Sequence, residues 1–431
     1  MELQQKIENK TARVGVLGLG YVGLPLCVEF ARRGFEVSGF DVSERLVRDL
    51  KGGRSHVLDV ASETIRDLVR SGRFSPTTRF DRLGRADAIV ICVPTPLRKS
   101  KEPDVSYILS ATREVSRRLR RGQLVVLEST TYPGTTRELV LTALERAGLR
   151  VGRDFHLAFS PERVDPGNKT YRITNTPKVV GGVTPACARA AAALYGQIVE
   201  RVVPVSSPEA AEMVKLLENT FRAVNIGLVN EIALMCHRLG LDVWEVISAA
   251  STKPFGYMPF YPGPGIGGHC IPLDPQYLAW KMKSLNFEPR FIELAGVINA
   301  SMPEFVVRRI GDILNGDSKP LKGSRILVLG VAYKPNVSDV RESPALDVIK
   351  LLGEQGVAVS ISDPWIKTIQ VENRKFRSRP LTRAELRRYD LVAVLTAHGG
   401  VDYRRVLRAA RRVFDARNAL AGVADPKLFR L

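Results

Sequence analysis

Apolar and polar positions along the chain fall into two textures, and the change of period marks the elements. RVGVLGL is an apolar run of strand length, a glycine turn follows, VGLPLCVEFARR repeats its apolar residues at helical spacing up to Gly34, and FEVSGFD returns to strand texture. Residues 12–41 therefore predict one strand–helix–strand unit. ADAIVICVPTP and QLVVLEST are further buried-strand runs, separated by a helical stretch over 105–121 and followed by LAFSPER. This alternation predicts a mostly parallel, doubly wound sheet.

Near Ser206 the texture changes. SSPE at 206–209 combines a capping-box pattern with a proline suited to the first helical turn, and helical periodicity then runs to Gly240. A helix of that length spans between domains or subunits. From Ser324 the first pattern returns: RILVLGVAYKP, a helix in SPALDVIKLLGEQG, VAVSISDP ending in Asp363, and YDLVAVLTAH. FEVSGFD echoes in VAVSISD, and ADAIVICVPTP in YDLVAVLTAH. The fold class expected is α/β, with two Rossmann-like doubly wound domains (1–207 and 317–431) joined by a helical middle domain (208–316) that carries one long central helix. A cleft between the halves is the natural place for a site.

Composition narrows the class. With 45% hydrophobic and 25% charged among 431 residues, the chain is neither disordered, collagenous nor a disulfide scaffold. No stretch approaches the roughly 20 apolar residues of a spanning helix, and the N-terminus passes from a polar arm into a strand, so neither a membrane nor a secreted protein is expected. Cys27, Cys92, Cys187, Cys236 and Cys270 form no Cys-x-x-Cys pair, which argues against a metal site or disulfide framework and for the reducing cytoplasm. The net charge of +19 suits either polyanionic partners or arginine-rich solvated helix faces. Basic runs at 117–121 and 404–412 lack a stacking platform or recognition motif, so nucleic acid is not the expected partner.

Gly18-Leu19-Gly20-Tyr21-Val22-Gly23 closes a strand and opens a helix, where glycines permit a tight turn, close approach of a pyrophosphate and helix packing. Asp41 ends the next strand, where a carboxylate takes the ribose hydroxyls and repels a 2′-phosphate; Arg45 is the nearby cation that could offset it. The expected cofactor is NAD. Val93-Pro94-Thr95-Pro96 and Ser129-Thr130-Thr131-Tyr132-Pro133-Gly134 each follow a buried strand, as ordinary turns or as contacts to cofactor or substrate. Lys215 and Asn219 lie four apart on one face of the long helix, as a solvated lysine and neighbour or as a functional pair. Asn219 and Asn225 are mediocre helix formers and point to side chains kept for hydrogen bonds.

The segment FYPGPGIGGHCIPLDP, 260–275, holds four glycines and four prolines and cannot be regular structure; such a loop brings backbone close to a ligand. Cys270 sits in it, with Asp274 four residues on. The other four cysteines read as buried and inert, whereas Cys270 amid glycine amides is placed to be a thiolate nucleophile. His269 is a candidate base, although neighbouring side chains on a loop can point apart.

GLGYVGLP, VPTP, STTYPGT, SPER, KLLENT, GPGIGGHC with Asp274, and GVAYKPNVSDVRESP resemble, in order and across nearly the whole chain, the UDP-glucose/GDP-mannose dehydrogenase family of nucleotide-sugar 6-dehydrogenases. YMPFYPGPGIGGHCIPLDP and SPERVDPGN look most like its branch acting on UDP-N-acetylglucosamine. The resemblance implies an NAD-binding N-terminal domain, a dimerising middle domain and a C-terminal domain that grips the nucleotide. It also implies four-electron oxidation of a UDP-sugar C6 hydroxyl to a carboxylate, for surface-polysaccharide precursors, with UDP-N-acetylglucosamine ahead of UDP-N-acetylmannosamine and UDP-glucose. By the same resemblance Cys270 is the nucleophile, Lys215 and Asn219 flank the C6 oxygen, Asp274 supports proton transfers, Thr130 holds a water and Glu162 is the acid/base. Cofactor contacts would come from Gly18, Gly20, Tyr21, Val22, Gly23, Asp41, Thr95, Thr130 and Arg341. Substrate contacts would come from Glu162, Arg163, Lys215, Asn219, Tyr261, Gly267 and Lys334. One departure is Pro166, with Asp165 before it, where the UDP-glucose enzymes carry a second glutamate. Two rivals stand beside this reading. A one-step 3-hydroxy-acid dehydrogenase has no use for Cys270, and a nucleic-acid-binding or regulatory protein on a borrowed fold has only the basic runs in its favour.

Overall fold

The computed structural model describes residues 2–57, 59–98, 102–164, 168 and 170–431. The chain forms two compact units, Met1–Glu218 with Gln276–Phe287, and Asn219–Pro275 with Glu288–Leu431.

In the first unit the apolar runs become β1 (Arg13–Leu17), β2 (Glu36–Phe40), β3 (Phe74–Thr77), β4 (Ala88–Ile91), β5 (Leu124–Leu127), β6 (His156–Phe159), β7 (Lys178–Gly182) and β8 (Val202–Val205). They form one sheet in the order 3-2-1-4-5-6-7-8, with β1 and β4 adjacent where the winding reverses. Leu17 is level with Phe40 and Ile91, and Ile91 with Leu127, so the loops after β1, β2, β4 and β5 leave from one edge. That edge, at the reversal, is where such sheets bind ligands. β4 and β5 are buried along their whole length, as their unbroken apolar runs require. The helix Gly23–Arg32 covers the sheet with Leu26, Cys27 and Phe30, and Phe30 meets Phe35 edge-on at 5.8 Å. The antiparallel pairing of β6 with β7 breaks the parallel pattern.

The second unit repeats the design. β9 (Arg325–Leu329), β10 (Ala358–Ser362), β13 (Leu391–Val394), β14 (Val413–Asp415) and β15 (Leu428–Arg430) form a parallel sheet in the order 10-9-13-14-15, and β11 (Thr368–Val371) pairs with β12 (Arg374–Arg377) as a hairpin. The echo seen in the sequence is structural. Gly18 N–H donates to Phe40 O at 2.8 Å, and Gly330 N–H to Ser362 O at 2.9 Å.

Between β8 and β9 the described residues hold helices and no strand: Pro208–Leu239, Val243–Ala250, Asp274–Lys283 and Arg290–Gly316. The division between the units falls inside Pro208–Leu239 and inside Asp274–Lys283. At the start of the long helix Ser207 Oγ accepts from Ala210 N–H at 3.1 Å. Glu209 pairs with Arg137 at 2.7 Å. Asn225 hydrogen-bonds its own helix, donating to Phe221 O at 2.7 Å.

Candidate active site

In the first unit, Gly18 has φ +90°, and a Cβ there would lie 2.5 Å from Cys92 O, so only glycine lets β1 turn this close to β4. A Cβ on Gly20 would meet nothing within 4 Å. Tyr21 and Val22 complete the turn, and the helix begins at Gly23. The Asp41 carboxylate is fixed beside this loop, with Oδ2 accepting from Leu19 N–H at 3.0 Å and Oδ1 from Ser43 N–H at 2.9 Å. Open space at a helix N-terminus beside a fixed carboxylate fits a dinucleotide with unmodified ribose hydroxyls. His56, which the sequence reading passed over, lies near Asp41; burial lowers its pKa, against the pull of the Leu19 backbone and Asp41.

Thr95 Oγ1 donates to Thr130 O at 2.5 Å, which ties the turn after β4 to the turn after β5, and Tyr277 OH donates to Thr95 O. Glu212 also escaped the sequence reading. Its buried carboxylate accepts from Gly134 N–H at 2.6 Å and from Thr136 N–H and Oγ1 at 2.8 and 2.7 Å, so the long helix is anchored to the turn after β5 one helical turn before Lys215.

Glu162 Oε1 accepts from Arg163 N–H at 2.8 Å and Val164 N–H at 2.6 Å. Burial alone would raise the Glu162 pKa, but Lys178, the Val164 amide and Lys215 together hold it below the ordinary glutamate value. Arg163 pairs with Glu218 at 2.6 Å and donates to Pro177 O at 2.6 Å. Asp165 and Pro166 lie outside the described residues.

In the second unit the segment 260–273 has no helix or strand, as its glycines and prolines require. Gly268, at φ +88°, donates its N–H to Arg341 O at 3.1 Å, and a Cβ on it would lie 2.8 Å from the Tyr333 ring. A Cβ on Gly267 would lie 2.6 Å from Glu342 O. The cysteine loop is thus seated on 333–342, the segment that carries Lys334 and Arg341. Lys334 Nζ lies 5.8 Å from the Tyr333 ring centre, and Arg341 pairs with Asp339 at 2.7 Å.

Cys270 is half-buried, whereas the other four cysteines are buried. Its carbonyl accepts from Leu273 N–H at 3.1 Å and Asp274 N–H at 2.8 Å, so Cys270 and Asp274 share one turn. Asn219 Nδ2 donates to Asp274 Oδ2. Tyr261 stacks on Trp244 with centroids 6.3 Å apart, and Phe260 meets Phe221 at 5.6 Å.

Two further residues of this unit were missed. Asn230, fully buried, accepts from Gly263 N–H at 3.0 Å and donates to Asn299 at 2.8 Å, which pins the glycine loop to the long helix. Its signal was an asparagine within an apolar helical stretch. Arg417 lies two residues after the buried strand β14, donates to Leu395 O at 3.0 Å and packs under Gly263, where a Cβ would come within 2.3 Å of the guanidinium. Burial pushes the Arg417 pKa down to about 10.

A dinucleotide fold accompanied by a half-buried cysteine, whose turn carries a carboxylate bonded to an amide of the long helix, is the make-up of an NAD-dependent dehydrogenase. The particular family follows from comparison with known proteins. Models of the UDP-glucose/GDP-mannose dehydrogenase family match in order: its NAD binding domain over residues 12–199, its central domain over 209–301 and its UDP binding domain over 327–422. UDP-N-acetyl-D-glucosamine 6-dehydrogenase of Salmonella typhi is 36% identical over 389 residues, covering 90% of each chain. UDP-N-acetyl-D-mannosamine dehydrogenase of Pyrococcus horikoshii is 36% identical over 356 residues, 82% of this chain and 84% of its own. The solved UDP-D-ManNAc dehydrogenase structure from Pyrococcus horikoshii superposes with a TM-score of 0.88 at 33% identity, covering 97% of this chain and 98% of that one. The chain belongs to the UDP-glucose/GDP-mannose dehydrogenase family and is an NAD-dependent nucleotide-sugar dehydrogenase.

Proposed function

We propose that the enzyme oxidises the C6 hydroxyl of UDP-N-acetylglucosamine to a carboxylate in two NAD-dependent steps joined by a covalent intermediate on Cys270. The observation that carries the reading is the turn shared by Cys270 and Asp274, with Asn219 hydrogen-bonded to Asp274. It gathers a nucleophile, an acceptor of protons and an amide donor in one unit. UDP-N-acetylmannosamine is the second candidate, since a relative of that name is equally similar.

NAD, when bound, accepts a hydride from C6, once from the alcohol and once from the cysteine adduct. Removing a hydride and a proton from the alcohol leaves an aldehyde. The Cys270 thiolate adds to its carbonyl carbon, and the resulting thiohemiacetal loses the second hydride and a proton to become a thioester. Asn219 and Lys215 stabilise negative charge on the C6 oxygen throughout. Glu162 takes a proton from a water held at Thr130; the water oxygen bonds to the thioester carbon, and the C–S bond breaks to return the thiolate. Arg417, a half-buried cation whose side chain donates to a backbone carbonyl, is the residue we assign to the substrate diphosphate. Tyr261 and the loop before Cys270 offer an apolar wall for the acetamido methyl.

Phe221, Leu228, Phe291, Leu294 and Val297 are large apolar side chains exposed on the helices of the second unit, and we assign them to a homodimer contact. No helix among the described residues is long and apolar enough to cross a membrane. A thiolate nucleophile suits the cytoplasm, which completes the proposal. Two measurements test it: NADH formed per carboxylate, expected at about two from the electron count, and steady-state rates on UDP-N-acetylglucosamine, UDP-N-acetylmannosamine and UDP-glucose. Cys270→Ala that still makes acid at near-normal rate would sink the covalent scheme, and UDP-glucose as best substrate would sink the sugar assignment.

A further inference from the structure

Behind Glu162 lies a charged cluster that the mechanism above leaves unused. Glu128 follows β5, Lys178 opens β7 and Tyr195 ends the helix Pro185–Tyr195. The Glu128 side chain is 0% exposed, that of Lys178 7% and that of Glu162 13%. Lys178 Nζ contacts Glu128 Oε1 directly and lies 3.6 Å from Glu162 Oε2. Tyr195 OH donates to Glu128 Oε2 at 2.6 Å, and its ring centre is 5.2 Å from Lys178 Nζ. The buried Cys92 thiol faces the same cluster. The reversed direction of β7 brings Lys178 here. Phe159 is level with Gly181, so the chain running on from β6 to Glu162 passes alongside the start of β7.

A buried lysine–glutamate pair does little for stability that apolar side chains of like volume would not do. What such side chains cannot supply is a charge beside Glu162. The Lys178 ammonium serves both carboxylates, Lys215 adds its charge at Glu162, and their surroundings drive the two carboxylates apart. Burial pushes Glu128 up to about 7 despite Lys178, whereas Glu162 is held below the ordinary glutamate value. The inner carboxyl is therefore the one that takes a proton first, and the outer one stays ionised. The two amides on Oε1 and Lys178 on Oε2 also fix the orientation of Glu162.

We infer that Lys178, anchored by Glu128 and Tyr195, is a positioning residue that orients the Glu162 carboxylate and keeps it ionised as the base for thioester hydrolysis. This rests on the assignment of Glu162 as that base, and the test separates the two. Removing the cation makes Glu162 easier to protonate, so hydrolysis fails at a higher pH while formation of the Cys270 thioester continues.

The experiment compares the pH dependence of kcat, with intact-mass detection of the acyl-enzyme, across a set of full-length variants. Glu128→Gln mimics the protonated inner carboxyl and should leave the acid limb where it is. Lys178→Met/Glu128→Gln, which removes the cation together with the inner carboxylate and leaves Glu162 as the cluster's one ionised carboxylate, should move that limb up by roughly one to two pH units relative to Glu128→Gln. It should also accumulate acyl-enzyme at pH values where Glu128→Gln does not. Lys178→Arg, which keeps a cation, should hold the limb near its original position. Coincident limbs for the double variant and Glu128→Gln, with no added acyl-enzyme, would overturn the inference. Glu162→Gln is the control on the underlying reading: normal hydrolysis in that variant removes the base itself and the inference with it.

Discussion

Asn219 Nδ2 lies 2.5 Å from Asp274 Oδ2, and the two residues are only 6% and 2% exposed. They are far apart in sequence, yet Asp274 shares a turn with Cys270, so this contact fixes where the cysteine loop meets the long helix. A buried carboxylate that loses its donor is costly, and the cost depends on both partners being present.

Asn219→Ala should therefore lower kcat by about 10²- to 10³-fold, the usual effect of removing a donor from a developing oxyanion. Combining it with Asp274→Ala should add little to the worse single variant, because the two act as one unit. A double-mutant cycle in kcat/KM checks this, and strictly additive losses would show that the pair works independently.

NAD should be preferred over NADP, because Asp41 is held rigidly by the Leu19 and Ser43 amides and cannot swing away from a 2′-phosphate. Like charges in contact cost several kcal/mol, so a preference on the order of 100-fold in kcat/KM is expected. Asp41→Ser should bring the two cofactors closer, mainly by improving NADP. Parity in the unaltered enzyme would mean that Arg45 reaches the phosphate.

Arg417→Met should raise the KM for the UDP-sugar while changing the KM for NAD little. A charge-assisted contact to phosphate is worth about 1.5 to 3 kcal/mol, or roughly 10- to 150-fold in binding. Arg417→Lys should recover only part of this, since an ammonium lacks the planar fork. An unchanged sugar KM in Arg417→Met would reassign the residue to loop packing against Gly263.

Asp363 occupies the place in the second unit that Asp41 holds in the first, but it is buried and saturated. It accepts from Val331, Ala332, Trp365 and Ile366 N–H and lies 3.0 Å from His398 Nε2, whose Nδ1 accepts from Asn336 N–H. A ribose has no access to such a carboxylate, so calorimetric titration should find one NAD site per chain.

The same residue sets an acid limit on stability. Burial would raise the Asp363 pKa, but His398 and the backbone amides outweigh it and hold the group below the ordinary aspartate value of 3.8. A depressed folded-state pKa gives stability that is present above that value and lost as pH falls below it. Asp363→Asn should cost on the order of 3 kcal/mol at neutral pH, with the gap to the unaltered enzyme closing in acid. Urea unfolding across pH measures it, and a gap independent of pH would remove Asp363 as the cause.

The strand and helix pattern of both halves, the long helix and the glycine loops could be read from the chain because they depend on local period and on residues with unusual backbone freedom. The paired strands FEVSGFD and VAVSISD are β2 and β10 for that reason, and the segment 260–273 is irregular because glycine and proline leave it no alternative. Cys270 stood out by the same local logic, and resemblance supplied the roles that local logic left open. Which polar groups meet was decided by the tertiary structure. Lys178 opens β7, and it reaches Glu162 only because β7 runs against β6. Asn230, Glu212 and Arg417 likewise take partners 33, 76 and 22 residues away. Hydrophobic periodicity records which face of an element is buried, but a buried polar group must find its partner through space, and that choice is made by strand direction and loop path.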